Sequence, residues 1–215
     1  MKKVLIINAS ARTLESKSRE LTKVFVNQWN TIYEKPEIKY RELGNAPIAH
    51  ISEAWIAATL KPVSDRSESE NKVLAESNTY IAELKEANVI VLGSPMYNWS
   101  IPSALKAYID QVFRVNETFR VNLSNPENPY VGLLENKTLF LLLSRGGQHY
   151  EKGEANAHLN FQSTYLKTVF DIMGIRNIYM IAIDGASLDK EKLKYSIEIA
   201  HQKVRNLIGA GIELI

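Results

Sequence analysis

Five short apolar segments recur along the chain, separated by longer stretches whose apolar residues return every three to four positions. The short segments are residues 4–8, 38–43, 89–93, 138–143 and 178–183. The first, third and fourth are nearly unbroken apolar runs, which suits parallel strands covered on both faces by helices. The second alternates Ile38, Tyr40 and Glu42 with Lys39, Arg41 and Leu43, as a strand nearer a sheet edge would. From Ser18 onward, Leu21, Val24, Phe25, Trp29 and Ile32 follow the 3.6-residue period, and Pro36 ends the pattern. Residues 67–85 read as one polar helix with Val73, Leu74, Ile81 and Leu84 on one side. Pro102 sits in the first turn of a helix carrying Ala104, Leu105, Tyr108, Ile109, Val112 and Phe113. Tyr165, Leu166, Val169, Phe170 and Met173 share another stripe that stops at Gly174, and Leu193, Ile197, Ala200, Val204 and Leu207 form the last. With an extra helical stretch at 54–60, the order is βαβαβαβαβα. Right-handed crossovers then give an α/β fold, a doubly wound five-stranded parallel sheet with helices on both faces.

Sheets of this kind hold ligands beyond the carboxyl ends of their strands, where the strand order reverses. The segments after Asn8, Gly93 and Leu143 are therefore the places to look. After Asn8 there is no G-x-G-x-x-G and no G-x-x-x-x-G-K-[ST], so neither a dinucleotide fingerprint nor a P-loop is present. Ser10, Ser16 and Ser18 instead gather at a helix N-terminus, with Arg12 and Lys17 adding positive charge, a setting for a monophosphate. Ser16 as a plain N-cap in a solvated turn is the structural alternative. After Gly93, the segment Pro95-Met96-Tyr97-Asn98-Trp99-Ser100-Ile101-Pro102 places two aromatics and a methionine between prolines. Such a rigid loop can offer backbone N–H groups and a stacking surface to a flat heterocycle, or it can pack Tyr97 and Trp99 on neighbouring helices. After Leu143, Ser144-Arg145-Gly146-Gly147-Gln148-His149 carries paired glycines whose N–H groups can approach a ligand closely, or which simply turn the chain. Together the three describe a ligand with a phosphate at one end and a flat polar ring at the other, such as FMN.

Composition narrows the class. The 215 residues hold 26 Lys and Arg against 24 Asp and Glu, a formal charge of +2, with the two signs interspersed, which argues against a nucleic-acid surface. There is no cysteine, hence no disulfide framework, thiolate metal site or thiol nucleophile, and a reducing, cytoplasmic setting is expected. The apolar run near Met1 is too short for a signal peptide, and no stretch is long enough to span a membrane. His50, His149, His158 and His201 form no His-x-x-x-His pair and have no accompanying carboxylate cluster, so no metal site is expected. Nothing marks a linker, and 1–215 reads as a single domain.

The Ser10/Ser16-Lys17-Ser18 segment, Pro95-Met96-Tyr97-Asn98-Trp99 and Ser144-Arg145-Gly146-Gly147 resemble the FMN-dependent NADH azoreductases, also described as NADH:quinone oxidoreductases, of the flavodoxin-like superfamily. The similarity extends over essentially the whole chain, including 82–85 and Tyr165-Leu166 before Met173-Gly174-Ile175. The resemblance implies a flavodoxin-like FMN-binding domain in which Ser10, Ser16, Lys17 and Ser18 hold the phosphate and ribityl end. Pro95, Met96, Tyr97, Asn98 and Trp99 would line the isoalloxazine, with a backbone N–H near Asn98 facing flavin N5. Ser144, Arg145, Gly146 and Gly147 would contact the pyrimidine edge. It also implies homodimers with both sites at the subunit interface, where Phe113, Phe119 and Arg120 border the partner's pocket. Val121 and the loop 122–134 depart from the family pattern and bear on substrate range, as does Ile172.

The activity so implied is an NADH oxidoreductase that reduces quinones and aromatic azo compounds by two-electron, ping-pong hydride transfer through flavin N5. The cofactor carries the chemistry, so no protein nucleophile or base is required. Tyr97, Asn98 and His149 are candidates to orient an acceptor. The competing class is a flavodoxin-type electron carrier with no small-molecule substrate of its own. Such carriers are usually strongly acidic and use a compact phosphate turn, unlike this chain. A non-enzymatic interaction protein that has lost FMN is the third reading.

Overall fold

In the computed structural model the chain runs β1 (Lys3–Asn8), α1 (Lys17–Ile32), β2 (Glu37–Glu42), α2 (Glu53–Leu60), α3 (Glu68–Val73), α4 (Ala75–Glu86), β3 (Val89–Pro95), α5 (Ser103–Val112), β4 (Phe119–Val121), β5 (Tyr130–Gly132), β6 (Thr138–Ser144), α6 (Ser163–Ile172), β7 (Asn177–Ile183) and α7 (Lys190–Gly209). The structure describes residues 2–187 and 189–210; Met1, Leu188 and 211–215, which include both ends of the expected 1–215 unit, lie outside the described residues. The five expected strands pair in parallel in the order β2-β1-β3-β6-β7. The unbroken apolar runs are the three central strands, and the alternating segment is an edge. Strand order reverses between β1 and β3. The register sets Asn8 opposite Gly93, Pro95 opposite Ser144 and Ser144 opposite Ile183, so these strand ends share one rim.

Alternate residues of each central strand feed two cores. Val4 and Ile6 pack with Phe25 and Trp29 of α1 and Val204 and Ile208 of α7. Leu5 and Ile7 pack on the other face with Ile81 and Leu84 of α4, Leu105 and Tyr108 of α5, and Leu166 and Phe170 of α6. This is the doubly wound, flavodoxin-like arrangement.

Three expectations need correction. The helix expected at 67–85 is two helices that meet at Leu74, whose side chain is fully buried against Trp55 and Ala58 of α2. Pro102 precedes the first turn of α5 rather than lying in it; its extended ψ of 145° makes it the capping residue. Part of the loop expected at 122–134 is strand: Val121 faces Tyr130 and Phe119 faces Gly132 in an antiparallel ribbon closed by Asn122, whose N–H donates to Pro129 O at 2.6 Å. Gly132 lies so close to the Gly174 backbone that a Cβ would sit 2.2 Å from it, which docks the ribbon beside the start of β7.

Candidate functional site

The rim formed by the strand ends holds a cleft of about 180 Å³ lined by Ser10, Arg12, Ser16, Lys17, Met96, Tyr97, Ser144, Gly146 and Ser187, with Glu15, Pro95, Arg145 and Ala186. Three loops far apart in sequence thus converge as the sheet topology requires. Tyr97 also borders a larger, more apolar cleft of about 900 Å³ that includes Asn98, Ile101, Lys106, Phe161 and Tyr165.

The first wall is the N-terminus of α1. Ser16 is the N-cap, its hydroxyl accepting from Arg19 N–H at 3.4 Å and lying 3.3 Å from Ser18 Oγ. Capping does not exhaust the site, since the Lys17 and Ser18 N–H groups have no acceptor among the described residues. Ser18 itself is fully buried beneath the cleft rather than lining it. Ser10 is buried too, its hydroxyl accepting from Arg12 N–H at 3.2 Å. Lys17 lies over Glu20, 3.1 Å away. Arg19 shapes this loop: its guanidinium donates to Ser10 O and Arg12 O, each at 2.9 Å, and to Glu42 at 2.5 Å. An arginine in the first turn of a helix opposes the dipole, and that local mismatch is the sequence signal for its specific partners.

The second wall is a four-residue turn. Tyr97 N–H donates to Ser100 O at 2.9 Å and Ser100 N–H to Tyr97 O at 3.0 Å, while Asn98 and Trp99 both take positive φ, 47° and 64°. That is the type I′ pattern, which normally carries Asn-Gly. A tryptophan there costs about 1–2 kcal/mol of backbone strain, a cost that accumulates at functional positions. Trp99 is half exposed, Phe161 stands beside it equally exposed, and Phe161 N–H donates to Trp99 O at 3.1 Å.

The third wall extends from β6. Ala186 N–H donates to Arg145 O and Ser187 N–H to Gly146 O, both at 3.1 Å, and Gly185 N–H to Gly147 O at 2.8 Å. The glycines permit this: a Cβ on Gly146 would sit 2.8 Å from Ser187 Oγ, and one on Gly147 2.6 Å from the Tyr150 hydroxyl. The amide N–H groups of Asn98, Trp99, Gly146 and Gly147 have no acceptor among the described residues. The Arg145 side chain is not presented to the cleft. It is wholly buried, 2.8 Å from Glu151 and 3.8 Å from Asp184. Burial pushes the Asp184 carboxyl above the usual carboxylate range, with Arg145 opposing.

Glu15, Ala186 and Ser187 were not anticipated from the sequence. The last two follow β7, whose adjacency to β6 could be known only from the strand order. His149 is exposed with φ 66° and does not line either cleft. The rings of Phe113 and Phe119 lie with centroids 4.4 Å apart at a tilt of 33°, and the ribbon that Phe119 opens lies toward the opposite end of the sheet, where Asn122, Asn125 and Asn128 share a cleft with Lys137 and Asn177. Neither the two rings, nor exposed Arg120 and Val121, nor half-buried Ile172 reach this chain's own cleft.

Residues 2–208 match the family model described as flavodoxin-like fold. An FMN-dependent NADH:quinone oxidoreductase of Trichormus variabilis is 36% identical over 206 residues, covering 96% of this chain and 95% of that protein. One from Pseudomonas putida is 36% identical over 204 residues, covering 95% and 98%. Among solved structures, an FMN-dependent NADH-azoreductase of Bacillus anthracis in complex with FMN matches with a TM-score of 0.82 at 26% identity, covering 96% of this chain and 99% of the other. The convergent strand ends and these similarities lead to one conclusion: the chain belongs to the flavodoxin-like fold family and, within it, to the FMN-dependent NADH:quinone oxidoreductases.

Proposed function

We propose that this chain binds FMN at the strand-end cleft and uses it to pass two electrons from NADH to quinones and aromatic azo compounds. The observation that carries the reading is the opposition, across one rim, of a hydroxyl-rich helix N-terminus and a set of unpaired amide N–H groups on two loops. This donor set fits the cofactor. Ser10, Ser16 and Lys17, with the first-turn amides of α1, would hold the phosphate, and buried Ser18 would support Ser16 from below. Pro95, Met96 and Tyr97, which line the cleft, with Asn98 and Trp99 beyond them on the turn, would border the ring, while Ser144, Gly146 and Gly147 would donate to its pyrimidine edge. Arg145 contributes its backbone there. When bound, FMN supplies hydride acceptance from NADH at N5 and delivery to the acceptor.

The protein's own part is positioning and exclusion. The type I′ turn fixes an amide toward the ring site, and Trp99 and Phe161 supply apolar surface where nicotinamide and acceptor take turns. Shared occupancy makes the kinetics ping-pong. We further propose a homodimer, since the β4–β5 ribbon lines neither of this chain's clefts and is exposed through Val121, Leu123 and Tyr130. Heat release and chromatography should yield FMN; FAD as the main species would refute the reading. Initial rates at varied NADH and quinone should give parallel double-reciprocal lines, whereas an intersecting pattern would require both substrates bound together. Failure to oxidise NADH with any quinone would favour the electron-carrier reading. Sedimentation should give a dimer.

A further inference from the structure

In the segment leading into α6 only Phe161 faces a cleft; its polar neighbours belong to none of the sequence motifs and line neither cleft, yet they are among the most buried polar residues in the molecule. Asn160, Gln162 and Ser163 are 5%, 0% and 1% exposed. Asn160 Oδ1 accepts from Ser163 N–H at 3.1 Å, and its amide nitrogen donates to Tyr150 O at 2.9 Å and Ser163 Oγ at 2.8 Å. Gln162 spends both ends of its amide on the site's scaffold: Nε2 donates to Ser94 O at 3.2 Å, and Oε1 accepts from Arg145 Nε at 3.2 Å. Ser94 lies two residues before Met96, and Arg145 carries the third wall. The intervening Phe161 ties its N–H to Trp99 O. One side chain therefore bridges the end of β3 to the end of β6, and Arg145 carries the connection on to Glu151 and Asp184 after β7.

We propose that Gln162 is a positioning residue for the flavin ring. It lines neither cleft; it acts by fixing the separation between the Tyr97–Ser100 turn and the Arg145–Gly147 segment, the two walls that would grip the isoalloxazine from opposite edges. The proposal rests on the flavin reading above. Glutamine suits the role because a single amide offers a donor to a strand-end carbonyl and an acceptor to a guanidinium in one plane. An apolar side chain of similar size would leave Arg145 Nε–H without an acceptor in a buried setting and would release the side-chain tie to the Ser94 carbonyl, and the walls would move to find other partners.

Gln162→Leu removes both bonds at near-constant volume, and Gln162→Glu keeps the acceptor facing Arg145 while removing the donor to Ser94. Apoprotein is titrated with FMN and with riboflavin by fluorescence quenching, and the visible absorption of the bound flavin is recorded. Because the defect is at the ring end, both flavins should weaken by the same factor, roughly tenfold for Gln162→Leu, with a shifted absorption band in both variants. A purely structural role would lower the melting temperature and leave both dissociation constants and the band at wild-type values, and that result overturns the proposal. So does selective weakening of FMN, which would place the defect at the phosphate. If Gln162→Leu does not fold, Gln162→Glu decides by the same criteria. Wild-type protein that takes up neither flavin would overturn the flavin reading itself, an outcome visible before any variant is made.

Discussion

Gly44 offers the sharpest test of where the phosphate sits. It follows Leu43, whose N–H donates to Asn8 O at 2.9 Å, so the ends of β1 and β2 run together here. A Cβ built on Gly44 would lie 1.9 Å from Ser10 O, 2.4 Å from Ser10 C and 2.9 Å from Ala11 N, all backbone atoms that no rotamer change can move aside. Gly44→Ala must therefore push the Ser10 backbone away by more than an ångström. Overpacking of this sort costs about 1–3 kcal/mol, and for a chain of this size each kcal/mol lowers Tm by about 2–4 °C. If the displaced loop also loses one charge-assisted hydrogen bond to phosphate, worth about 1.5–3 kcal/mol, FMN affinity falls by roughly 10- to 150-fold. Riboflavin has the same ring without phosphate, and its weaker affinity should hardly change. Ile208→Val in α7, 2% exposed and remote from the rim, supplies a matched loss of stability of about 0.5–1.5 kcal/mol. Thermal unfolding and fluorescence titration of the apoproteins give both quantities. Wild-type FMN affinity in a destabilised Gly44→Ala, or an equal loss for riboflavin, would refute the placement of the phosphate beside Ser10.

Ser16→Asp should leave stability almost untouched, because aspartate caps a helix as well as serine, while its carboxylate opposes a phosphate by about 1–4 kcal/mol per unit charge at ~4 Å; FMN affinity should drop and riboflavin affinity should not. Trp99→Gly should relieve the positive-φ strain and stabilise the turn by about 1 kcal/mol while weakening both flavins through loss of the half-exposed ring, so a variant that binds both as tightly as wild type would remove Trp99 from the site. For Asp184, burial raises the folded-state pKa above the unfolded one, so the ionised form lowers stability at neutral pH and the loss disappears as pH falls through the folded value. Asp184→Asn should accordingly raise Tm at pH 7 and have little effect near pH 3; a lower Tm at pH 7 would mean that attraction to Arg145 outweighs desolvation.

The sheet was readable because its central strands are buried on both faces and so carry uninterrupted apolar runs, while β2, at an edge, alternates. The ribbon was not readable: Phe119-Arg120-Val121 and Tyr130-Val131-Gly132 are three residues each, too short for a period, and what holds them is the close approach of Gly132 to Gly174 forty-two positions away. Residues 67–85 have the continuous helical pattern expected of one helix, and the division at Leu74, which packs against Trp55 and Ala58, leaves no mark in that pattern.

Within the cleft, the division falls between backbone and side chain. The loops after Asn8, Pro95 and Ser144 meet because strand register brings their ends to one rim, and the register follows from apolar patterns that the sequence displays. Which way a side chain turns there depends on partners it meets only after folding. Arg145 sits between Ser144 and Gly146, both in the cleft wall, yet its guanidinium turns inward because Glu151, Gln162 and Asp184 wait there. Arg19 likewise turns back onto Ser10 and Arg12 because Glu42, at the end of β2, fixes its far side. Groups proposed to offer N–H or hydroxyl to the flavin lie in short runs of sequence and can be found by reading along the chain. Those that hold the walls apart are recruited across it, and Gln162 reaches 68 positions back to Ser94. Substitutions in the first set should therefore discriminate between FMN and riboflavin according to which end they touch, whereas those in the second should alter the fit of the ring without touching it.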